Sequence, residues 1–301
     1  MSKRRVTGGY GIYLIPGILL FGAVIVIPFL ANIATSFTRW NGVSRPEWAG
    51  LLNYRRLLED DVFWLSFANL AAMIIAMALV PTAIGLFLAA LLFDYIGPRF
   101  GNRSASWFRS LFYIPQVLPI AVAGIVWGWI LNSGDGALNS FLRRIGLGGM
   151  TENWLGDPSL ALYTVMFVMI WFQLGYPVVI FMAGLTRVDP ELHEAAELDG
   201  ANWYQRFSRV IIHQIRPEIY VVILTSTIYA LKVFGPIYVL TRGGPANATN
   251  VPSYFAYQNF FQLSDPSYGA TISTVLSIFV VSFGAIFLAL QLRRERTADA
   301  W

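Results

Sequence analysis

Residues 62–93 read VFWLSFANLAAMIIAMALVPTAIGLFLAALLF, and this stretch contains no Asp, Glu, Lys or Arg. A helix needs roughly 20 mostly apolar residues to cross a bilayer, because a rise of about 1.5 Å per residue must cover about 30 Å of hydrocarbon. The apolar residues are continuous, whereas a strand of a membrane barrel alternates apolar and polar residues over about ten positions. Residues 62–93 therefore predict a membrane-spanning α-helix.

Five other stretches of the chain have the same character. The composition agrees with them, since a chain that is 56% hydrophobic and 13% charged is more apolar than a soluble core requires. We predict an all-α membrane protein, a single transmembrane domain over residues 1–301. Its transmembrane helices, about six in number, are expected at residues 12–37, 62–93, 110–131, 160–185, 219–240 and 271–290.

The distribution of basic residues predicts the orientation of these spans. If the N-terminus lies in the cytoplasm, thirteen Lys and Arg residues fall on the inner side, seven on the outer side, and Lys232 inside a span. Positive charge concentrates on cytoplasmic loops, so we expect both termini in the cytoplasm. Topology then accounts for the net charge of +4, and no nucleic-acid partner is expected. The first span is too long for a signal peptide and should be retained.

The most informative connection is the inner loop at residues 187–217. Asp189-Pro190-Glu191 predicts a helix start, because it supplies a side-chain cap, a proline at the first helical position and an acid near the positive end of the helix. Asp199-Gly200 then offers a stop and a cap for a second helix. Apolar or small residues recur on one face at Leu192, Ala196, Gly200, Trp203, Phe207 and Ile211.

Two hypotheses fit this amphipathic loop. It could lie flat on the membrane, but such helices usually carry a basic polar face, whereas this one carries Glu191, Glu194, Glu197 and Asp199. Small residues in the middle of the loop would instead let its backbone approach a partner closely. The sequence favours docking to a partner protein.

The stretch EAAELDGA at residues 194–201, followed by Phe207, Val210, Ile211 and Pro217, closely resembles the EAA loop of binding-protein-dependent ABC importer permeases. In that family the loop forms a coupling helix that sits in a cleft of a cytoplasmic ATPase subunit. The family pattern usually ends in Leu-Pro, where this chain has Ile212-His213. The resemblance implies ATPase-coupling roles for Glu194, Ala195, Ala196, Asp199, Gly200, Ala201 and Phe207.

The resemblance covers almost the whole chain and narrows the subfamily. Residues 50–58, 113–115, 153–155 and 240–245 look like carbohydrate-importer permeases of the maltose and glycerol-3-phosphate type, and the last motif is typical of the first of two non-identical permeases. Phe234-Gly235 stands where relatives often carry an acid after the phenylalanine. The resemblance implies the type I ABC importer permease fold in a bacterial inner membrane.

The same resemblance implies the partners: a dimer of cytoplasmic ABC ATPases that holds ATP and Mg²⁺, a second permease and an extracytoplasmic substrate-binding protein. The sequence contains no nucleotide-binding pattern of the form GxxxxGK[ST]. We therefore expect a non-catalytic subunit that binds no cofactor. His193 and His213 lack a nearby third ligand and there is no cysteine, so no metal site is predicted.

Polar and aromatic residues within the spans are candidates for the substrate pathway. A charge in hydrocarbon is treated as functional, yet Lys232 could also extend its side chain toward the outer interface. Polar side chains such as those of Asn69 and Gln173 also form hydrogen bonds between helices, which is a purely structural role. Aromatic rings, in turn, can stack on sugars. The candidates are Asn69, Gln173, Tyr176, Tyr229, Lys232 and Phe234.

The functional hypothesis is half of the pathway of an ATP-driven sugar importer that works by alternating access. An importer of glycerol-3-phosphate or of another polar solute is the alternative. A secondary transporter would need no ATPase and often has internal repeats and an ion site at mid-membrane, neither of which is evident here. A membrane scaffold, or a family-like subunit that has lost transport, is the remaining rival, and the outer loops and the intact docking loop argue against it.

Overall fold

The computed structural model describes residues 11–298, which are mainly helical. The first helices are α1 (Gly11–Phe21), α2 (Ile27–Ser36), α3 (Leu52–Leu58), α4 (Asp61–Ile74), α5 (Val80–Leu91), α6 (Gly97–Phe100), α7 (Asn102–Val117), α8 (Ile120–Ile130) and α9 (Ala137–Arg144). They are followed by α10 (Ala161–Gln173), α11 (Gly175–Leu185), α12 (Pro190–Leu198), α13 (Trp203–Arg206), α14 (Ile212–Gln214), α15 (Arg216–Leu231), α16 (Gly235–Leu240), α17 (Pro252–Tyr257) and α18 (Pro266–Ala298).

Short π-helical turns join several of these helices into longer rods. They lie at Gly22–Val26, Ile75–Leu79, Leu92–Ile96, Phe207–Ile211 and Gln258–Gln262. A 3₁₀ turn covers Gly148–Met150, and the two short strands β1 (Thr38–Arg39) and β2 (Glu47–Trp48) pair antiparallel.

Four described helices are long and apolar enough to cross a membrane: Tyr13–Ser36, Asp61–Phe100, Ala161–Leu185 and Pro266–Ala289. They coincide with four of the predicted stretches. The remaining two predicted spans, 110–131 and 219–240, are not continuous helices in the structure, and the count of six spans stays a prediction.

The predicted span at 110–131 is a bent pair of helices. α7 begins earlier than expected, at Asn102, and α8 leaves it at 95°. Leu118 between them is extended, and Pro119 occupies the cap of α8. Two prolines within five residues cause the break, because each lacks an amide donor and Pro119 disfavours helical geometry at the residue before it.

The predicted span at 219–240 is also interrupted. α15 ends at Leu231, Lys232 takes a non-helical conformation, and α16 restarts at Gly235 with Pro236 in its first turn. Lys232 therefore lies at a helix end with an exposed side chain, not inside a continuous span as the sequence suggested. The proline at the start of α16 separates the two pieces, because it cannot donate to α15.

The chain forms two compact units. The first contains residues 11–63 and 255–279, and the second contains the rest of the described residues. In the first unit the buried Asn53 amide donates to the carbonyls of Ser36 and Thr38, at 2.9 and 2.8 Å. The hydroxyl of Tyr268 donates to Asp60 at 2.5 Å. The Asn53 amide thus ties α3 to the end of α2 and pairs carbonyls that burial would otherwise leave without a partner, and Tyr268 ties the start of α18 to the residue before α4.

In the second unit, glycines bring α5, α7 and α11 into close contact. A Cβ added at Gly85 would lie 2.6 Å from the Cβ of Pro177, and one added at Gly175 would lie 2.4 Å from the carbonyl oxygen of Phe112. Small residues allow such approach in membrane proteins, where association depends on packing. The buried apolar cluster of this unit contains Ala89, Leu92, Val178, Phe181, Met182, Leu185, Ile211, Ile215 and Val222.

Candidate functional site

The loop at residues 187–217 forms two helices with a tight turn between them, as its sequence suggests. The side chain of Asp189 accepts a hydrogen bond from the amide of Glu191 at 3.0 Å and caps α12. Gly200 follows α12 with φ +77°, a left-handed conformation that costs a side-chain-bearing residue about 1–2 kcal/mol. The glycine is thus required by the turn itself.

The cap of the second helix differs from the expectation. Asn202, not Asp199, caps α13 through a capping box: its side chain accepts from the amide of Gln205 at 3.0 Å, and the Gln205 side chain accepts from the amide of Asn202 at 2.9 Å. Asp199 lies directly after α12 and is exposed. Asp199 and the left-handed Gly200 belong to the end of α12, so the next helix is capped three residues after Asp199, by Asn202.

The small and acidic residues of the turn lie at the surface. Ala195, Asp199 and Gly200 are exposed, Ala196 and Ala201 are half-buried, and Leu198 is 89% exposed. Glu194 lies within α12, and the structure does not describe its side chain. An exposed leucine beside small residues and acids forms a surface that a partner could cover.

Phe207 points into its own chain. Its ring stacks on that of Trp203, with centroids 5.1 Å apart and planes 6° from parallel, and it packs against the buried cluster of the second unit. Ile211, one turn later, is buried. The second half of the loop therefore attaches the turn to the transmembrane helices, and a direct contact between Phe207 and an ATPase stays a prediction.

A hydrogen bond between Trp203 and Asp94 is the feature that sequence reasoning missed. The indole nitrogen Nε1 donates to Oδ2 of Asp94 at 3.0 Å, across 109 residues of sequence. Asp94 lies in the π-helical turn Leu92–Ile96, which extends the long rod formed by α4 and α5. An acid directly after the apolar stretch 62–93 was the available signal, but nothing in the sequence assigns its partner.

Two further contacts hold the ends of the loop. Arg187 forms an ion pair with Glu218 in the first turn of α15, and the amide of Asp189 donates to the Gln214 side chain at 3.1 Å. A cavity of about 1050 Å³ lies beside the loop, with Asp94, Arg109, Glu197, Trp203 and Arg206 among its lining residues. The ion pair and the hydrogen bond thus hold the two ends of the loop together beside this cavity.

A second, polar site lies at the broken helix. A cavity of about 430 Å³ is bordered by the helix break and by α10, α11 and α15, with the lining residues Gln116, Leu118, Pro119, Ile120, Phe172, Gln173, Tyr176, Thr225, Ser226 and Tyr229. Three of the predicted pathway residues, Gln173, Tyr176 and Tyr229, come together here. None of the lining residues is charged.

Side-chain hydrogen bonds connect the walls of this polar cavity. The hydroxyls of Tyr176 and Thr225 lie 2.9 Å apart, and the Gln173 amide nitrogen is 3.5 Å from the hydroxyl of Ser226. The Gln116 amide nitrogen reaches Oε1 of Gln173 at 3.4 Å, while Oε1 of Gln116 is buried without a partner among the described residues. A buried acceptor without a donor is costly, so the cavity offers an unmet acceptor.

Gln116 was missing from the sequence-based candidates. It lies between Pro115 and Pro119, where a polar residue inside an apolar stretch could have indicated it. Only the helix break brings its side chain to the wall of the cavity.

The other three predicted pathway residues lie elsewhere. The Asn69 amide donates to the carbonyls of Ala248 and Asn250, at 3.1 and 2.9 Å, and so connects α4 to the loop after α16. Phe234 stacks on Tyr238 with centroids 5.5 Å apart. Neither these two residues nor Lys232 lines the polar cavity.

Comparison with known proteins agrees with this architecture. Residues 82–297 match the family model for the binding-protein-dependent transport system inner membrane component. A probable ABC transporter permease protein of Pyrococcus horikoshii is 31% identical over 271 residues, which cover 90% of this chain and 91% of the relative. The trehalose/maltose transport system permease protein of Thermococcus litoralis is 29% identical over 298 residues, 98% of this chain and 97% of the relative.

A solved structure of a bacterial alginate ABC transporter, in complex with an alginate pentasaccharide-bound periplasmic protein, contains a chain of the same fold. Its TM-score is 0.78 at 18% identity, over 94% of this chain and 93% of that chain. These findings confirm the all-α membrane fold of the type I ABC importer permeases and the resemblance first seen at residues 194–201. The chain is a multi-pass membrane protein and belongs to the binding-protein-dependent transport system inner membrane component family.

Proposed function

We propose that this chain forms half of the pathway through which an ATP-driven importer moves a sugar across the cytoplasmic membrane. The observation that carries the proposal is the polar cavity at the helix break. It lies among the apolar helices α7, α8, α10, α11 and α15 and presents amide and hydroxyl groups with an unmet acceptor at Gln116. Membrane proteins place broken helices and polar groups where a polar solute passes.

The chemistry of the cavity favours an uncharged polyol such as a sugar. Tyr176 and Tyr229 supply ring faces, and Gln116, Gln173 and Thr225 supply hydrogen-bond donors and acceptors. The lining contains no Lys, Arg or His, which a glycerol-3-phosphate carrier would need for the phosphate dianion. The relative from Thermococcus litoralis is a trehalose/maltose transport system permease protein, which agrees with an uncharged sugar as the solute.

The exposed turn at residues 195–201 supports coupling to an ATPase. Two ATPase subunits that close on ATP would carry the docked loops with them, and the pathway would open toward a loaded extracytoplasmic binding protein. ATP supplies the preference for one state that any such shift requires. We propose a second permease as the other half of the pathway, ATP and Mg²⁺ on the ATPases alone, and both termini of this chain in the cytoplasm.

A secondary transporter is the competing function. Such a protein needs a site for its coupling ion near the middle of the membrane, and this is often a carboxylate. The polar cavity is lined by no Asp or Glu. The lining thus supports the ATP-driven importer.

Copurification in mild detergent from the native membrane, followed by mass spectrometry, tests the coupling. We expect an ABC ATPase and a second permease. Recovery of this chain alone, with solute uptake in liposomes that lack ATP, would establish a secondary transporter instead.

Variants of the purified complex test the cavity. Gln173→Leu removes groups that face Gln116 and Ser226, and we expect ATP-dependent sugar uptake in proteoliposomes to fall about tenfold, the effect of roughly 1.4 kcal/mol. Tyr163→Phe, at a 68% exposed position of the same helix α10, is the control and should leave uptake unchanged. Equal uptake by Gln173→Leu and the control would refute the assignment of the cavity as the pathway.

A further inference from the structure

The connection between α8 and α10 carries an amphipathic helix with an exposed apolar face. Phe141 lies on α9, Ile145 follows one turn later as the first residue after the helix, and Leu147 and Met150 follow within the next five residues. They are 59%, 51%, 45% and 58% exposed. A loop surrounded by water does not need four large exposed apolar side chains within ten residues, and we call these four residues the apolar patch.

The opposite face of α9 is anchored to its own loop. The buried Asn139 amide donates to the carbonyls of Ser133 and Glu152, at 3.1 and 2.9 Å, and its oxygen accepts from the indole of Trp154 at 2.8 Å. These bonds fix which side of the helix faces the protein. The exposure of the apolar patch is therefore set by the fold and is not the result of a loose loop.

Local geometry keeps α9 next to the end of the apolar helix α8. α8 ends at Ile130, and Trp129 beside it is 74% exposed, as expected of an aromatic ring at the membrane interface. The chain then turns sharply: a Cβ at Gly136 would lie 2.2 Å from the carbonyl oxygen of Asn132. Arg143 closes the turn by donating to the carbonyl of Gly134 at 2.8 Å.

The charges of α9 identify what covers the patch. Arg144 is exposed and lies three residues after Phe141 and one before Ile145. An exposed apolar face flanked by arginine is the pattern of a helix that lies in the interface, with its apolar side chains among the acyl chains and its arginine at the lipid phosphates. The loop at residues 187–217, by contrast, carries acids and lies at the other end of the span Ala161–Leu185.

We propose that α9 and the turn after it form a lipid-binding element that rests on the membrane surface opposite the coupling loop. The apolar patch enters the headgroup boundary, and Arg144 binds the phosphate of a phospholipid, with preference for an anionic lipid. The element would fix the height of the cavity-lining helices in the bilayer. The proposal concerns the apolar patch alone and holds whether or not the chain imports sugar.

Site-directed fluorescence tests the element cleanly, because the chain has no cysteine of its own. Phe141→Cys and Met150→Cys, each labelled with a polarity-sensitive nitrobenzoxadiazole probe, are reconstituted as full chains in vesicles of phosphatidylcholine and phosphatidylglycerol. A nitroxide placed near the headgroup end of the acyl chain is the quencher. Asp135→Cys, in the polar turn before α9, is the matched control.

We expect emission at the two patch positions to be shifted to the blue and quenched about threefold more than at Asp135, as for side chains at the headgroup boundary. Adding Arg144→Gln to Phe141→Cys should weaken the dependence on phosphatidylglycerol about fivefold, the effect of one basic residue near an anionic surface. Equal quenching at Phe141 and Asp135 would overturn the proposal. So would a patch that becomes shielded only after a binding protein or second permease is added, since the face would then be a protein interface.

Discussion

Replacing Trp203 with phenylalanine removes one hydrogen bond and little else from the coupling loop. The indole donates to Asp94 at 3.0 Å, and its ring stacks on Phe207. Phenylalanine keeps an aromatic ring for the stack but has no N–H group. The half-buried Asp94 carboxylate then loses its donor, and the loop loses this hydrogen bond to the long rod Asp61–Phe100 but keeps its apolar packing against it.

The expected effect follows from the charge of the acceptor. A hydrogen bond to an ionised group contributes about 1.5–3 kcal/mol, and a partly buried carboxylate recovers some of this from water, so the lower limit applies. A loss of about 1.5 kcal/mol shifts the equilibrium between the attached and the detached loop by roughly 13-fold. Asp94→Ala should have a similar effect, and the double variant should be little worse than either single one.

Hydrogen–deuterium exchange of the full chain measures this equilibrium. We expect the amides of residues 203–211 to exchange about tenfold faster in Trp203→Phe, because exchange from a transiently open loop follows the population of the open state. Trp129→Phe, at a 74% exposed position, is the control and should leave the rates unchanged. In the assembled importer, the variant should hydrolyse more ATP for each sugar moved.

Two results would contradict this role of the indole hydrogen bond. Unchanged exchange at residues 203–211 would show that the indole bond does not hold the loop. Additive effects of Trp203→Phe and Asp94→Ala would show that the two side chains act independently, contrary to a direct contact.

Three other substitutions test separate features. Gly200→Val places a β-branched residue at φ +77° and should abolish copurification of the ATPase while membrane insertion stays intact. The control Gly128→Val, at a position with open space around it, should leave copurification unchanged. Equal recovery of the ATPase with both variants would contradict docking at the turn. Gly175→Ala brings a Cβ to 2.4 Å from a backbone carbonyl and should lower the free energy of unfolding in detergent by about 2 kcal/mol, against no loss for Gly128→Ala. Thr82→Val removes a buried hydroxyl that has no partner among the described residues and should raise that free energy by about 1 kcal/mol; a decrease would place a bound water there.

Much of the fold could be predicted because membrane insertion imposes a length and a composition that are visible in one sequence. The long rods at Asp61–Phe100 and Ala161–Leu185 need no knowledge of their neighbours to be recognised. Helix breaks are harder to predict. Pro115, Pro119 and Pro236 all predict a bend, but the 95° angle between α7 and α8 depends on packing against other helices, which a single sequence does not specify.

The two candidate sites also differ in how far the sequence predicts them. The turn around Gly200 follows from local chemistry, so its helix–turn–helix form was predictable, although the cap at Asn202 was not. The polar cavity depends on contacts between distant segments, since Gln116 reaches Gln173 across 57 residues. Asn69 and Gln173 are both polar residues in apolar helices, and only their surroundings show that one binds loop carbonyls and the other faces the cavity.

The helix α11 connects the two sites mechanically. It leads directly into the coupling loop, its first turn carries Tyr176 on the wall of the polar cavity, and Leu185 at its end packs with Ile211 of the loop in one buried cluster. Eleven residues make a rod about 16 Å long, so a loop movement that displaces the Leu185 end by nearly 3 Å tilts the helix by about 10°. Because the close glycine contact with α7 restrains sliding at the Tyr176 end, we expect loop movement to turn α11 about that contact and to change how Tyr176 meets Thr225.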